Sequence, residues 1–338
     1  MIQIKRAAYE DIPKIMEFID QHWKKGHIMG NDRTMFEFQH VRNGEVFYLI
    51  AEDDEDGKIY GSMGYIPMAS GEYPEISTTM ILSIANPEKR MLGEEMSRYL
   101  EQQIACSNVI SVGIRERYAR TIMKLGGNHV GCLDQYYILN PSMDYKIARI
   151  DHCERAAAQK SGTTLVPLPI EALQNCAASE WWLKNKPYRD PAYMEHRYYR
   201  HPYYQYCVWG LQRDQEIRGI LVAREIQIQG RKILRLIDYL GEDQELAYVG
   251  DELLRLLQER QYEYLDFYCY GIDHQYLEEA GFILRTKGDT NIIPNYFEPF
   301  EQRNVDLYFY TWFMDGIHVY RGLGDQDRPN LYINTKTR

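Results

Sequence analysis

Two stretches of this chain combine residue types and spacings that suit chemistry. The first is Asn86-Pro87-Glu88-Lys89-Arg90-Met91-Leu92-Gly93, a loop with one glycine between a strand-like and a helix-like pattern. A loop there aims backbone N–H groups and the positive end of a helix at whatever lies above the strand, which suits an anion such as a pyrophosphate. The second covers residues 315–330, where Asp315, Asp325, Asp327, Arg321, Arg328 and His318 alternate with glycines and aromatics. Gly, Asp and Asn at this density make solvated turns, yet the mixture also suits the hydroxyls and amine of a sugar. Its Asp-x-Asp spacing lacks the distal Glu of a calcium loop. His196 and His201 are five apart and share no helix face, so they make no metal pair. The six cysteines are irregularly spaced, which reads as free thiols, and no metal is expected.

The elements that must position these stretches follow from periodicity. Ile76, Met80, Leu82 and Ile84 have the even spacing of a strand's buried face. Leu92, Met96, Tyr99, Leu100 and Ile104 recur as one face of a helix. Before this strand–loop–helix come a strand over residues 2–7, a helix opened by Asp11 with Ile12, Ile15, Ile19 and Trp23 inward, and a second helical segment ending near Val41. Strands over 46–51 and 59–66 flank the hairpin signal Asp56-Gly57. After it come a strand over 109–114, a short helix over 116–125 stopped by Gly126-Gly127, and a closing strand or pair of strands over 129–139.

A polar stretch over 145–164 reads as an interdomain segment, after which the layout repeats. Strands are predicted over 206–211, 217–226 and 233–240, then a helix with Leu246, Val249, Leu253, Leu256 and Leu257 inward. A strand over 264–270, a short helix ending at Gly281, and a late strand over 310–314 complete it. Gly61 matches Gly219, 158 residues on, and Gly126 matches Gly281 at nearly the same offset, which argues for an internal duplication.

At 338 residues the chain is long enough for two domains. A net charge of −10 argues against a nucleic-acid backbone as the main partner. No apolar run reaches the length of a membrane span and the polar start lacks a secretory core, so a cytoplasmic protein is expected.

In this element order the chain resembles the GNAT acyltransferase superfamily, as two tandem copies spanning nearly all of it. The tail resembles that of two-domain GNAT-like proteins of bacterial surface-glycan assembly. The resemblance implies a mixed α/β (α+β) fold of two GNAT-like domains, each a mostly antiparallel mixed sheet flanked by helices. The expected domains are 1–145, a linker 146–163, and a degenerate 164–338. It also implies that the Q/R-x-x-G-x-G/A loop holds the coenzyme A pyrophosphate. Arg90 and Gly93 fit this motif, and Glu95 stands where a small residue is usual. A carboxylate about 6 Å from a phosphate would repel it by roughly 3 kcal/mol at an effective dielectric near 20. Binding then requires Glu95 to point outward or to be neutralised. By the resemblance, acetyl-CoA (acyl-CoA) is the co-substrate, held by Leu82, Ile84, Lys89, Arg90, Met91, Leu92, Gly93 and Glu94. In the second half Glu242-Asp243-Gln244-Glu245 replaces the motif, so that copy is expected to have lost the cofactor.

GNAT chemistry is direct attack of an amine on a thioester, which needs a base for the amine and an acid for the thiolate. The family's acidic tyrosine falls at Ile122 and, in the second copy, at Leu277, so the usual acid is missing. Tyr118, one turn earlier, is the substitute candidate. Glu72 and Glu75, at the start of the central strand, and His27 are candidate bases. The segment bearing His22, His27 and Asp32 borders the acceptor in GNAT folds, and Asp325, Asp327 and Arg328 are the further acceptor contacts. The expected partner is a small amine acceptor, with a nucleotide- or lipid-linked amino sugar preferred, and a homodimer is open. Two alternatives stand beside this. One is Fem-like transfer from aminoacyl-tRNA; the other is a non-catalytic GNAT pair that only binds a ligand or partner.

Overall fold

The structure, a computed structural model, describes residues 1–84, 91–126, 128–152, 157–324 and 326–330. They group into two compact units. One is Met1–Val112 together with Gly324 and the residues after it; the other is Gly113–Leu323.

In the first unit, β1 (Ile2–Arg6), β2 (Tyr48–Asp53), β3 (Ile59–Pro67), β4 (Glu75–Ser83) and β5 (Asn108–Ile114) lie side by side in that order. The first three ladders are antiparallel and β4 runs parallel to β5. Tyr48, Leu49, Ile50 and Ala51 are all buried in succession, the pattern of a strand covered on both faces. Three helices, α1 (Ile12–His22), α2 (Ile28–Asn31) and α3 (Arg33–His40), supply one apolar layer through Ile12, Ile15, Phe18, Ile19, Met35 and Phe36. The expected second helical segment is thus two helices, divided at Asp32. That residue ends α2 and caps α3 by accepting the Met35 N–H at 2.9 Å. Trp23, expected inward, is the C-cap of α1 and 37% exposed, and Phe18 takes the inner position.

The strict alternation expected along β4 also breaks. Met63 faces Ile81 but Tyr65 faces Thr78, so Thr79 and Met80 both stand opposite Gly64. One extra residue reverses the faces of everything beyond it. Met80, Leu82 and Ile84 therefore pack with the α1–α3 layer, whereas Ile76 lines a cavity with Phe47, Tyr65 and Ile104. On α4 (Leu92–Gln103), Leu92, Met96 and Leu100 are buried as the periodicity predicts.

The second unit contains α5 (Glu116–Leu125), β6 (His129–Leu139), β7 (Thr164–Pro167), β8 (Cys207–Arg213), β9 (Glu216–Ile228), β10 (Arg231–Gly241), α6 (Gly250–Arg260), β11 (Tyr262–Tyr270) and α7 (His274–Glu279). It ends in β12 (Leu307–Thr311) and β13 (Val319–Tyr320). The strands run β7-β8-β9-β10-β11, again with three antiparallel ladders and then a parallel one. β6 pairs the far edge of β11, and β12 pairs β6. The register repeats as well as the order. Gly61–Ser83, Met63–Ile81 and Tyr65–Thr78 reappear as Gly219–Gly241, Leu221–Tyr239 and Ala223–Leu236, each shifted by 158 residues, with a bulge in the same place.

At the start of the stretch expected as a linker, 146–163, the N–H groups of Ile147 and Ala148 donate to the fully buried Glu263 carboxylate of the second unit at 2.7 and 2.8 Å. One expectation is corrected. The late strand begins at Leu307, three residues before the expected start, because Leu307–Thr311 takes its register from Leu133–His129 of β6.

Gly64 is set by close approach. A Cβ there would land on Thr79 Oγ1 and within 2.5 Å of His40 Cε1 and 2.8 Å of Tyr48 Cε2. Gly64→Ala should therefore lower the unfolding free energy by about 2–3 kcal/mol in urea titration. A change below about 0.5 kcal/mol, the scatter of an ordinary surface substitution, would contradict this packing.

Candidate functional site

The site is built where β4 and β5 part. Among the described residues they pair over Glu75–Ser77 and Asn108–Ile110, while β4 continues to Ser83. From Thr79 to Ser83, the β5-side edge of β4 has no strand partner among the described residues. An unpaired edge offers alternating N–H and C=O groups to an extended, amide-bearing ligand. On the opposite edge, the Thr79–Met80 bulge leaves one residue outside the ladder, and Thr79 Oγ1 lies 3.5 Å from His40 Nε2.

Helix α4 starts beside the end of this edge. The Met91 carbonyl accepts the Glu94 and Glu95 N–H groups at 3.0 Å each, and no side chain caps the helix start among the described residues. Leu92 is buried against β3, where a Cβ on Gly61 would come within 3.1 Å of it. Gly93 sits over the end of β4, its missing Cβ 3.7 Å from Ser83 Oγ. The N-terminal amides of a three-turn helix thus lie next to the strand edge, as an anion site needs. Glu94 and Glu95 are half-buried in its first turn. Lys89 and Arg90 lie outside the described residues. Leu82 and Ile84 are half-buried near the end of β4, packed toward the α1–α3 layer.

The segment from Gly324 closes the narrow end of the fork. A Cβ on Gly324 would lie 2.5 Å from Ser77 Oγ and 3.8 Å from the Thr78 carbonyl. Ser77 Oγ is buried and has no partner among the described residues. Further along, the Asn330 carbonyl accepts the Ile28 N–H at 3.2 Å, and Arg328 Nη1 lies 2.8 Å from His27 Nε2. Two candidate residues 301 positions apart in sequence are thereby in contact. Arg328 and Asp327 are both buried, and the Trp23 ring stands 4.3 Å from that of His27 and 5.6 Å from the Arg328 guanidinium.

This contact decides the state of His27. Its Nδ1 accepts from the Met29 N–H at 3.2 Å, and its Nε2 faces the guanidinium. An imidazolium, with two N–H groups, fits neither partner. Burial, then the charges of Arg328 and Lys24, push its pKa down to about 2. His27 is therefore held neutral, its Nδ1 capping α2 and its Nε2 facing Arg328.

The other candidates are dispersed. His22 is exposed, its ring against Phe18 at 4.9 Å. Asp32 is the α3 cap described above. Glu75 is half-buried on the paired part of β4, where its carbonyl accepts the Met68 N–H at 2.9 Å. Tyr118 lies on α5 in the second unit, edge-on to Tyr310 at 6.4 Å. Asp325 lies outside the described residues. Ile122 and Leu277, at the expected acid positions, are both buried. Sequence reasoning missed Ser77, Gly324 and Asn330. For the bulge the available signal was Ser77-Thr78-Thr79, a polar run beside the apolar Met80-Ile81-Leu82.

At the other end of β4, a cavity of about 340 Å³ is lined by Arg6, Arg42, Glu45, Phe47, Tyr65 and Glu72, among others. Arg6 faces Glu45 at 3.8 Å and Arg42 donates to the Pro67 carbonyl at 2.9 Å, so its cations are held by internal acceptors. Among the described residues no group of His, Cys, Asp and Glu could hold a metal, and no helix is long and apolar enough to cross a membrane.

No protein-family model matches the chain, and no curated protein does. Solved structures do. A GCN5-related N-acetyltransferase from Anabaena variabilis ATCC 29413 superposes with a TM-score of 0.55 at 14% identity, covering 92% of this chain and 72% of that one. The chain has the GNAT fold. A conserved protein of unknown function from Enterococcus faecalis V583, described as a probable N-acyltransferase, matches with the same TM-score at 8% identity, again over 92% and 72% of the two chains. Both likenesses run through both units of this GNAT-fold chain, in keeping with duplicated GNAT-like domains.

The His27 assignment has a sign that can be tested. A histidine ionising near 6.5 when unfolded but held neutral when folded supplies stability that is full above pH 6.5. That stability is lost as pH falls toward 2. Between pH 7 and pH 5 it should account for about 2 kcal/mol of the decline. In urea unfolding, His27→Asn should lose about that much less than the wild type over this interval. Equal declines would contradict a neutral His27.

Proposed function

We propose that the chain is an acyl-CoA-dependent N-acyltransferase, with acetyl-CoA as its co-substrate. The observation that carries this reading is the β4 edge from Thr79 to Ser83, which has no strand partner among the described residues and ends beside the amides at the start of α4. A coenzyme A molecule needs both parts. Its pantetheine arm is an extended chain with two amides, which the edge pairs as an added strand. Its pyrophosphate takes the N–H groups around Leu92 and Gly93, with Met91 and Glu94 flanking them; Lys89 and Arg90, which precede them in the sequence, are the proposed cations. The arm would then bring its thioester toward the narrow end of the fork, near Ser77.

The acceptor is an amine on a small polar molecule, and an amino sugar linked to a nucleotide or lipid, as in surface-glycan assembly, is preferred. Arg328, held by His27 and Trp23, and the buried Asp327 are the proposed polar wall on that side, with Asp325 as a further contact. Glu75, two residues before the fork, is the proposed base, and Tyr118 the proposed acid. A cytoplasmic location suits such donors. A second reading, a ligand-binding pair without turnover, is favoured by the buried Ile122 and Leu277 at the acid positions.

Calorimetry and a thiol-release assay separate the two. Acetyl-CoA is expected to bind at micromolar concentration, and free thiol to appear with an amino-sugar acceptor. Gly93→Asp has room for its Cβ and places a carboxylate at the phosphate site, so it should weaken acetyl-CoA binding about tenfold or more, about 1.4 kcal/mol, without unfolding the chain. Binding without thiol release on any amine would favour the second reading. Binding unaffected by Gly93→Asp would remove the phosphate site.

A further inference from the structure

The second unit repeats the fork of the first, and the chain itself fills it. There the parallel pairing of β10 with β11 ends at Leu236–Phe267, and β10 runs on to Gly241. Two residues later, Cys269 pairs Asp134 of β6 on one side and Tyr320 of β13 on the other. β13 therefore lies on the β10 side of β11, in the opening. The next residues reach across, and the Gly322 N–H donates at 2.8 Å to the carbonyl of Ile237, the bulge residue of β10.

The inserted segment is packed as core. Val319 and Leu323 are fully buried and Tyr320 is 1% exposed. The Tyr320 ring stacks on Phe267 at 5.7 Å and 11°, and the Arg189 guanidinium stands 5.5 Å from its centre. Arg189 is itself fully buried in an ion pair with Asp238, which also accepts the Tyr198 O–H at 2.6 Å. Gly322 admits no side chain, since a Cβ would lie 2.6 Å from Tyr198 Oη and 2.8 Å from the Ile237 carbonyl. The acidic turn after β10 is committed internally as well. Asp243 pairs His318 at 3.0 Å and Glu245 pairs Arg213 at 2.6 Å.

We infer that Val319–Leu323 is the permanent occupant of the second unit's fork, standing where the amide arm of a thioester carrier would pair, so that the chain holds one carrier and not two. This rests on the acyltransferase reading for what the first fork binds; the occupancy of the second fork rests on the contacts above alone. Its main-chain partner, the bulge carbonyl, and its edge position on β11 are those an added strand would take. The strap is thus a built-in substitute for the ligand.

Hydrogen exchange followed by mass spectrometry on the full chain, with and without saturating acetyl-CoA, tests this alongside calorimetric stoichiometry. Peptides over residues 319–323 should exchange as slowly as β11, stay unchanged by acetyl-CoA, and accompany one carrier per chain. Gly322→Ala should speed their exchange about tenfold or more and leave peptides of β4 unaffected. Two carriers per chain, or exchange in 319–323 that is fast or rises with acetyl-CoA, would overturn the inference. A titration with no heat would remove the acyltransferase reading, and slow exchange in the strap would then still support its place in the fork.

Discussion

The first unit depends on the early end of one parallel ladder. β4 and β5 share three residue pairs and then part, which leaves a row of main-chain donors and acceptors inside a folded unit. Unpaired backbone groups are costly wherever water cannot reach them. A fork of this kind therefore persists only if water, a ligand or another segment supplies partners. Around it, the bulge at Thr79–Met80 redirects β4, and the start of α4 is set at the end of the edge through Leu92 and Gly93. The segment from Gly324 closes the narrow end over Ser77.

The two units answer the same backbone problem differently. In the second, strand order, ladder senses and bulge recur with a constant shift, yet the fork is occupied by Val319–Leu323. Buried charge follows the same division. Arg235 and Asp266 form a fully buried pair with bonds of 2.9 and 2.6 Å, and Arg189–Asp238 lies beside the strap. Removing one member of such a pair strands the other, at about 3–5 kcal/mol, so these pairs fix a single arrangement more than they add stability. At the first unit's fork the buried guanidinium of Arg328 faces the neutral His27. A closed, charge-locked fork and an open one carry the same fold, so fold alone does not assign the chemistry.

Much of the frame was legible in the sequence. The strand–loop–helix over residues 75–103 was marked by a change of period from two to three or four, and the hairpins by their turn residues. Asp214-Gln215 and Gln229-Gly230 both have positive φ at each position, as tight two-residue turns require. The glycine pair Gly61 and Gly219 marked the duplication because both sit at the same register position. What stayed hidden was long-range. Nothing local in Arg328 shows that it meets His27, and nothing in a polar run over 146–163 shows that Glu263 gathers its amides. The bulge was hidden for a different reason. Even spacing assumes an unbroken ladder, and one added residue sent Ile76 to the opposite face from Met80.

The open edge of β4 is proposed to take the amide arm of a thioester carrier. A crystal structure of the chain grown with acetyl-CoA tests this most directly. The arm is expected paired along residues 79–83, the pyrophosphate on the amides at the start of α4, and the thioester near Ser77. A carrier bound elsewhere, or that edge empty at saturating acetyl-CoA, would contradict it.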